Sequence, residues 1–352
     1  MKKTTGILLT IVLLVSMFAG CGGGGGGDQS GSGTGDEATY KLRLSSHLPA
    51  NNIQTLALQD AVKTISEKSD GRIEVTLYPD SQLGDYSVVY GQVMTGDIDM
   101  AVLSLATTYD DRVNALYLPY LTTSVEEYKQ SYFPGGYVWD LVTEINEDLG
   151  CAYLGAFYLG YTGIGAAKLP DAGFAELTDK SISKDVLIRV PPIKVYAEVV
   201  PEMGFRTTTI PYADLYPALQ SGVADGWIGG SALLNWDGFR DVINYFIDCR
   251  AVDDSNFAVI NKKLLDSMSE SDQKIIRDVF VDTAYRVADE YMQVEEKAMG
   301  DMEDIGIKII SPTAAEISAL SARVRSAVWI KMTDEIGADL IEKLCEVYDV
   351  SL

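Results

Sequence analysis

The chain contains 352 residues, of which 28 are lysine or arginine and 51 are aspartate or glutamate, so its formal net charge at pH 7 is −23. This acidic balance argues against nucleic acids and anionic membrane surfaces as binding partners. His47 is the one histidine and the cysteines are widely spaced, which nearly excludes a zinc site or a Ser-His-Asp triad. We therefore expect no metal and no cofactor.

The N-terminus has the organisation of an export signal. Two lysines precede an apolar run over residues 7–15, and small residues lead to Cys21. The run is too short for a membrane span, so residues 1–20 are predicted to be a secretory signal peptide. The end of the segment resembles the bacterial lipobox, whose cysteine receives diacylglycerol, although Phe18 stands where leucine is usual. The alternative is an ordinary signal peptide with a chance cysteine.

Residues 21–37 are dominated by glycine and serine and cannot bury a core. A lipid on Cys21 followed by such a flexible tether predicts a soluble body held at the outer face of a membrane. The remaining length favours two domains rather than one.

The first half of the body alternates between strands and helices. Period-two and helical spacings, with glycines as stops, predict strands at 41–46, 72–78 and 99–103 and helices at 52–69 and 87–95.

The second half repeats this order of elements. Strands are predicted at 186–190, 205–210 and 225–228, and helices at 194–203 and 214–221. Tyr90, Gly96 and Asp99 have the same spacing as Tyr216, Gly222 and Asp225, and each glycine suits a left-handed helix end. The repeat favours two related lobes over coincidence.

Two long helical runs follow, at 264–300 and 314–347. The prediction is an α/β, two-lobed fold of the periplasmic-binding-protein type, with a central cleft, hinge strands and long C-terminal bracing helices. The first lobe is assigned residues 38–158 and about 245–282, and the second is assigned about 159–244 and 283–352. Loops 46–49 and 189–192 follow the first strand of each lobe and are expected to face the cleft.

Several stretches in order along the chain carry a family resemblance. They are residues 78–85 (Tyr-Pro-Asp-Ser-Gln-Leu-Gly-Asp), 96–101 (Gly-Asp-Ile-Asp-Met-Ala), 118–120 (Leu-Pro-Tyr), 187–191 (Leu-Ile-Arg-Val-Pro) and 210–226 (Ile-Pro-Tyr-Ala-Asp-Leu-Tyr-Pro-Ala-Leu-Gln-Ser-Gly-Val-Ala-Asp-Gly). Together the chain resembles the extracytoplasmic solute receptors of TRAP transporters, the DctP-type family. The resemblance implies lobes that close over a small organic acid and deliver it to membrane permease subunits driven by an ion gradient.

The same resemblance implies that Arg189 grips the ligand carboxylate. A guanidinium offers two parallel N–H donors that match a carboxylate, and it stays charged in a closing cleft. Thr162 stands where many members carry a second arginine, and Trp227 begins a Trp-Ile-Gly-Gly stretch in place of Gln-Glu-Asn-Pro. These departures predict a ligand with fewer charges, a monocarboxylate. The Trp227 indole could stack on that ligand, or it could be part of the lobe core.

Further side chains are expected near the ligand from their place after strands or from the motif positions that they match. These candidates are His47, Asp85, Ser104, Thr107, Thr162, Tyr212, Asn235 and Trp236.

The leading hypothesis is therefore a transport receptor rather than an enzyme. One alternative is that the same lobes report a ligand to a membrane signalling protein. Another is a surface hydrolase or lyase using paired carboxylates, although the sequence contains no nucleophile elbow, metal motif or phosphate loop.

Overall fold

The computed structural model describes residues 39–352, so the predicted signal peptide, Cys21 and the tether lie outside the described residues. The strands are β1 (Tyr40–Ser46), β2 (Ile73–Tyr78), β3 (Met100–Leu103), β4 (Cys151–Tyr161), β5 (Gly163–Ala166), β6 (Leu187–Val190), β7 (Arg206–Thr209), β8 (Gly226–Gly230), β9 (Tyr245–Ile247), β10 (Asp253–Asn261) and β11 (Lys308–Ile310). The α-helices are α1 (Ile53–Lys68), α2 (Tyr86–Thr95), α3 (Val125–Tyr132), α4 (Tyr137–Asp148), α5 (Phe174–Leu177), α6 (Lys194–Val199), α7 (Leu215–Gln220), α8 (Ala232–Phe239), α9 (Lys262–Asp266), α10 (Glu270–Asp304), α11 (Ala314–Ile336) and α12 (Ala338–Val347).

The strands form two sheets, and each sheet is the centre of one lobe. The first has the order β2-β1-β3-β10-β4 and the second has the order β11-β9-β5-β8-β6-β7. In the first, β1 runs parallel to β2 and β3 while β10 is antiparallel to its neighbours. In the second, β6 runs parallel to β7 and β8 while β5 is antiparallel to its neighbours. The predicted two-lobed α/β fold is confirmed, and the sequence repeat corresponds to the shared strand order.

Local side-chain chemistry explains where the repeated helices begin and end. Asn52 accepts a hydrogen bond from the Gln54 backbone N–H at 3.0 Å and so starts α1, and Asp85 starts α2 through Ser87 at the same distance. Gly96 ends α2 with a φ of 85°, a left-handed backbone that favours glycine. In the second lobe α6 is shorter than predicted and continues as a 3-10 turn, Val200–Met203, because Pro201 cannot donate the α-helical hydrogen bond.

The chain crosses between the sheets at Thr162, between β4 and β5, and again between β9 and β10. The two crossing segments are joined, since the Thr162 N–H donates to the Val252 carbonyl at 2.8 Å and the Val252 N–H donates to Thr162 Oγ1 at 3.1 Å. We expected the lobe boundaries near 158 and 245, whereas strand pairing places Tyr161 in the first sheet and β9 in the second. Both changes of sheet therefore occur a few residues later than predicted.

Long C-terminal helices contact both lobes. Helix α10 has 35 residues, which corresponds to about 50 Å, and it packs on α1 and β4 of the first lobe and on α8 of the second. Helix α11 packs on α6, and its Trp329 donates to the Pro119 carbonyl of the first lobe at 3.1 Å. Within residues 39–352, no helix combines the length and apolar character that a membrane span needs.

Candidate ligand-binding cleft

An enclosed cavity lies between the lobes, where the carboxyl ends of β1, β3, β6 and β8 meet β4 and β10. This is the position at which open α/β sheets usually bind ligands. Its free volume is about 20 Å³, room for about one water molecule. The cavity is lined by His47, Leu48, Tyr86, Ser104, Tyr117, Leu159, Arg189, Pro191, Ile193, Tyr196, Tyr212, Gly229, Leu234, Asp254 and Asn256.

Arg189 brings a positive charge into this cavity from the interior of the second sheet. It lies on β6, paired with Thr208 of β7 and Trp227 of β8, and only 1% of it is exposed. Its Nε donates to the Ile210 carbonyl at 2.7 Å, but its Nη2 has no hydrogen-bond partner among the described residues. Burial lowers the pKa of Arg189, although a guanidinium keeps its proton at any physiological pH. Arg189 is therefore a buried cation with unused hydrogen-bond donors.

Aromatic side chains surround the guanidinium. The His47 ring lies edge-on to Tyr212, with centroids 5.0 Å apart, and is 5.4 Å from Tyr86. Burial lowers the pKa of His47 to about 4, and the Arg189 charge acts in the same direction against an opposing effect of Asp85. His47 is thus a neutral hydrogen-bonding group at neutral pH, with an Nδ1 that lacks a partner among the described residues.

The opposite wall comes from β10 of the first lobe. Asn256 donates to Gln54 at 2.9 Å and accepts from Ser104 at 3.2 Å, so its side chain is held at the cavity. Asp254 lies two residues earlier and is 6% exposed. Burial raises the pKa of Asp254 to about 7, and the neighbouring Asp253 acts in the same direction.

Of the residues predicted from sequence, the structure brings Arg189, Tyr212, His47 and Ser104 together around the cavity. The first two come from the second lobe and the other two come from the first. His47 follows β1, Ser104 follows β3, Arg189 lies near the end of β6 and Tyr212 follows β7, so all four lie at the carboxyl ends of strands.

Trp227 and Asn235 lie in the core of the second lobe, which for Trp227 is the second of the two positions that the sequence allowed. Trp227 donates from Nε1 to Asn235 Oδ1 at 2.9 Å, and its ring centroid is 4.6 Å from that of Phe239. Glycines leave room for this pair: a Cβ on Gly230 would be 2.4 Å from Trp227, and one on Gly165 would be 2.0 Å from Asn235. The indole is therefore enclosed between the sheet and α8 instead of facing the cleft.

Thr162 and Asp85 also lie outside the cavity lining. Thr162 is fully buried at the crossing between the sheets, where its hydroxyl accepts from Val252. Asp85 caps α2 with one carboxylate oxygen, and the other accepts from the Ala213 N–H of the second lobe at 3.3 Å. Thr162 thus joins the two segments that cross between the sheets, and Asp85 connects the lobes at the mouth of the cleft.

Thr107 and Trp236 are the other predicted site residues that lie outside the cavity lining. Thr107 is buried in the turn after β3, beyond the lining residues. Trp236 is partly exposed on α8, where the Arg240 guanidinium carbon lies 5.0 Å from its ring centroid. A cation over an indole face explains this position without a ligand.

Asp254, Asn256, Tyr86 and Tyr196 were missed from the sequence. The Asp-Asp-Ser-Asn run at 253–256 interrupts an otherwise apolar segment, and polar residues in a buried strand are a usable signal of a site. The two tyrosines lie at the starts of helices and have no comparable signal.

A comparison with known proteins agrees with this geometry. A solute-binding protein of Chromohalobacter salexigens is 23% identical over 261 residues, covering 72% of this chain and 74% of the relative. A TRAP periplasmic solute-binding protein of Desulfovibrio salexigens with bound orotic acid is 20% identical with a TM-score of 0.78, covering 88% of this chain and 98% of that chain. One from Ralstonia eutropha H16 with bound (S)-2-acetolactate is 22% identical with the same TM-score and coverage.

Two lobes that enclose a cleft at their strand ends define the class of this protein, a periplasmic-type solute-binding protein. The family can be stated as well. The model for bacterial extracellular solute-binding protein family 7, DctP, matches residues 44–335, so the chain belongs to that family.

Proposed function

We propose that this chain is the extracytoplasmic receptor of a TRAP-type transporter and that it binds a small organic acid, a monocarboxylate, through Arg189. The observation that supports the proposal best is the environment of the Arg189 side chain. Its guanidinium is buried in the interlobe cavity, forms a hydrogen bond to the Ile210 carbonyl, and has an Nη2 without a partner among the described residues. A ligand carboxylate accepts from such donors with bidentate geometry.

The charges of the cavity favour a ligand with one carboxylate. Arg189 is the single lysine or arginine among the lining residues, and the low pKa of His47 keeps that ring neutral. A second ligand carboxylate would have no cation in the lining and would be costly to desolvate. The strongly acidic chain adds a repulsive long-range field, which makes the local Arg189 charge the selecting feature.

Structures of the same class support an acid as the ligand. Besides orotic acid and (S)-2-acetolactate, TRAP periplasmic solute-binding proteins hold L-gulonate, β-D-galacturonate and succinate. These compounds share a carboxylate and differ in the rest of the molecule. Arg189 accounts for the shared group, and the remaining lining would select the variable part.

Lobe movement is the mechanism that follows. A free volume of about 20 Å³ is too small for any of these acids, so the lobes must separate to admit a ligand. Contacts across the cleft mouth include Asp85 to Ala213 at 3.3 Å and Asn52 to Asp237 at 3.0 Å, and they would re-form on closure. A ligand shifts the balance between open and closed forms by its preference for one of them. The membrane subunits would recognise the closed form.

The test is a thermal-shift screen of organic acids on the full chain. We expect carboxylates to raise the melting temperature of the wild type and to have no effect on Arg189→Ala. Arg206→Ala is the matched control, because Arg206 lies on the adjacent strand but is 60% exposed and pairs with Asp185. Undiminished stabilisation of Arg189→Ala by the same acid would refute the carboxylate assignment.

A further inference from the structure

A second ionisable side chain, Asp254, lines the same cavity as Arg189. Its carboxyl is buried, and no side-chain donor among the described residues is hydrogen-bonded to it. The backbone N–H of Ser255 is the group that stabilises its charged form. A buried carboxyl usually has hydrogen-bond donors around it, so this one has acceptor capacity that the described residues leave unused.

The local backbone directs Asp254 into the cavity. Its neighbours Asp253 and Ser255 face the other side of β10, where they bind Thr122 and Tyr128 at 2.8 and 2.7 Å. The pairing of β10 with β4 is irregular between Asp253 and Ser255, opposite Gly160, whose φ is 81°. The extra residue at this bulge is on β4, and such bulges are frequent beside functional sites, whereas Asp254 faces away from Asp253 and Ser255 by the ordinary alternation of strand side chains. Asp254 thus shares the cavity side with Asn256.

We propose that Asp254 is a second ligand-recognition residue and that the ligand carries a hydrogen-bond donor, a hydroxyl or an ammonium group, directed at its carboxyl. This inference rests on the proposed function, because it assumes that the ligand carboxylate is bound by Arg189. The ligand class then narrows from organic acids in general to hydroxy or amino acids.

The electrostatics of the closed cavity support the pairing. When a carboxylate neutralises Arg189, an ionised Asp254 is the uncompensated charge left in the lining. An uncompensated charge is unfavourable in so buried a site, and a hydrogen-bond donor on the ligand removes that cost. A ligand without a donor instead requires Asp254 to take up a proton. Discrimination between the two kinds of acid therefore depends on this one side chain.

The pH dependence of binding offers a second readout. The ionisable groups around Asp254 are Arg189, His47 and the phenols of Tyr86, Tyr117, Tyr196 and Tyr212 in the lining, together with Asp253, Tyr128, Tyr291 and Glu295 beyond it. Burial holds the pKa of His47 at about 4 and raises those of the four lining tyrosines above their usual value of 10.0. Asp254 is thus the lining group that titrates near pH 7. An ammonium ligand should bind more tightly as the pH rises through 7, and Asp254→Asn should abolish that slope.

The experiment measures affinities of butyrate and of its hydroxy and amino derivatives, substituted at carbon 2, 3 or 4, for the full chain. We expect at least one derivative to bind more tightly than butyrate by on the order of 10- to 100-fold, the usual effect of a hydrogen bond to a charged group. Asp254→Leu should remove that difference. Asp254→Asn should bind a hydroxy acid with an affinity within a few-fold of the wild type but should lose affinity for an amino acid. The comparison therefore shows whether the ligand's donor is a hydroxyl or an ammonium group.

Asp253→Asn is the matched control, since Asp253 is equally buried and has a pKa raised to about 7 but faces Thr122. Melting temperatures without acid show whether each variant is folded. If butyrate binds as tightly as its derivatives, or if Asp254→Leu keeps the discrimination, the role of Asp254 is refuted while the receptor function stands. If no acid binds, or if Arg189→Ala binds normally, the proposed function fails and this inference fails with it.

Discussion

Arg189 is positioned for binding at the expense of stability, and Arg189→Met should therefore stabilise the ligand-free chain. The guanidinium is 1% exposed and Nη2 has no partner among the described residues. The cavity lining contains tyrosines and Asp254, but no side-chain carboxylate hydrogen-bonds to Arg189. Methionine fills a similar elongated volume without a charge or a donor.

The size of the expected stability gain follows from the hydrogen bond that Arg189→Met loses and from the unfavourable burial of charge that it removes. Burying the cation costs several kcal/mol, and an unpaired donor contributes about 1–3 kcal/mol to that cost. The Nε hydrogen bond to the Ile210 carbonyl, which the variant loses, is worth about 1.5–3 kcal/mol. The difference predicts a gain of about 1–3 kcal/mol in the free energy of unfolding.

The assay is urea unfolding of the ligand-free chain, followed by circular dichroism, with melting temperatures as a second measure. A gain of this size corresponds to a rise of about 2–6 °C. Arg206→Met serves as control, because this exposed arginine should change stability by less than about 0.5 kcal/mol. The same Arg189→Met protein should no longer be stabilised by organic acids.

A clear loss of stability in ligand-free Arg189→Met would refute the reasoning. It would mean that the guanidinium contributes net favourable contacts to the fold and is not held ready for a ligand.

Two further predictions concern helix α10 and the N-terminus. Burial is the main cause that raises the pKa of Glu295 from 4.5 to about 8. Between these two pH values the folded chain keeps a proton on Glu295 that the unfolded chain has lost. The free energy of unfolding should therefore fall as the pH rises from 4.5 to about 8. Glu295→Gln should reduce the fall in melting temperature between pH 5 and 8.5, and the remaining fall comes from other buried carboxyls such as Asp253 and Asp254. Exposed Glu290→Gln is the control, and equal profiles for the two variants would contradict the burial argument. We also propose that Cys21 is lipidated and that residues 21–37 tether the receptor to the membrane through this lipid. Cys21→Ser should then move the protein from the membrane fraction to the soluble fraction. Unchanged membrane retention of Cys21→Ser would exclude the anchor.

The secondary structure was largely predictable because its signals are local. Asn52 and Asp85 cap helices through their own side chains, and Gly96 ends α2 by adopting a backbone that other residues avoid. Differences arose where the signal was weak: the predicted helix at 264–300 is divided into α9 and α10, with Ser269 capping the second. The two-lobed fold followed from the repeated order of these elements and from the family resemblance.

The cleft was only partly predictable. Arg189 and Tyr212 were predicted from the motif positions that they match, and His47 and Ser104 were predicted because they follow strands. The sequence left open whether Trp227 faces the cleft or the core, because a strand residue can face either side, and the space beside Gly165 and Gly230 decides for the core.

The sequence by itself determined the acidic character of the chain, the alternation of strands and helices, and the single arginine of the Ile-Arg-Val-Pro motif. It also predicts an export signal. The tertiary structure decided which groups meet that arginine. Asp254 and Leu159 reach the cavity from strands far apart in the chain, and the pairing of β10 with β4 brings them to the same cavity. Such juxtapositions depend on strand register and packing between lobes, and these are properties of the folded chain that no local pattern encodes.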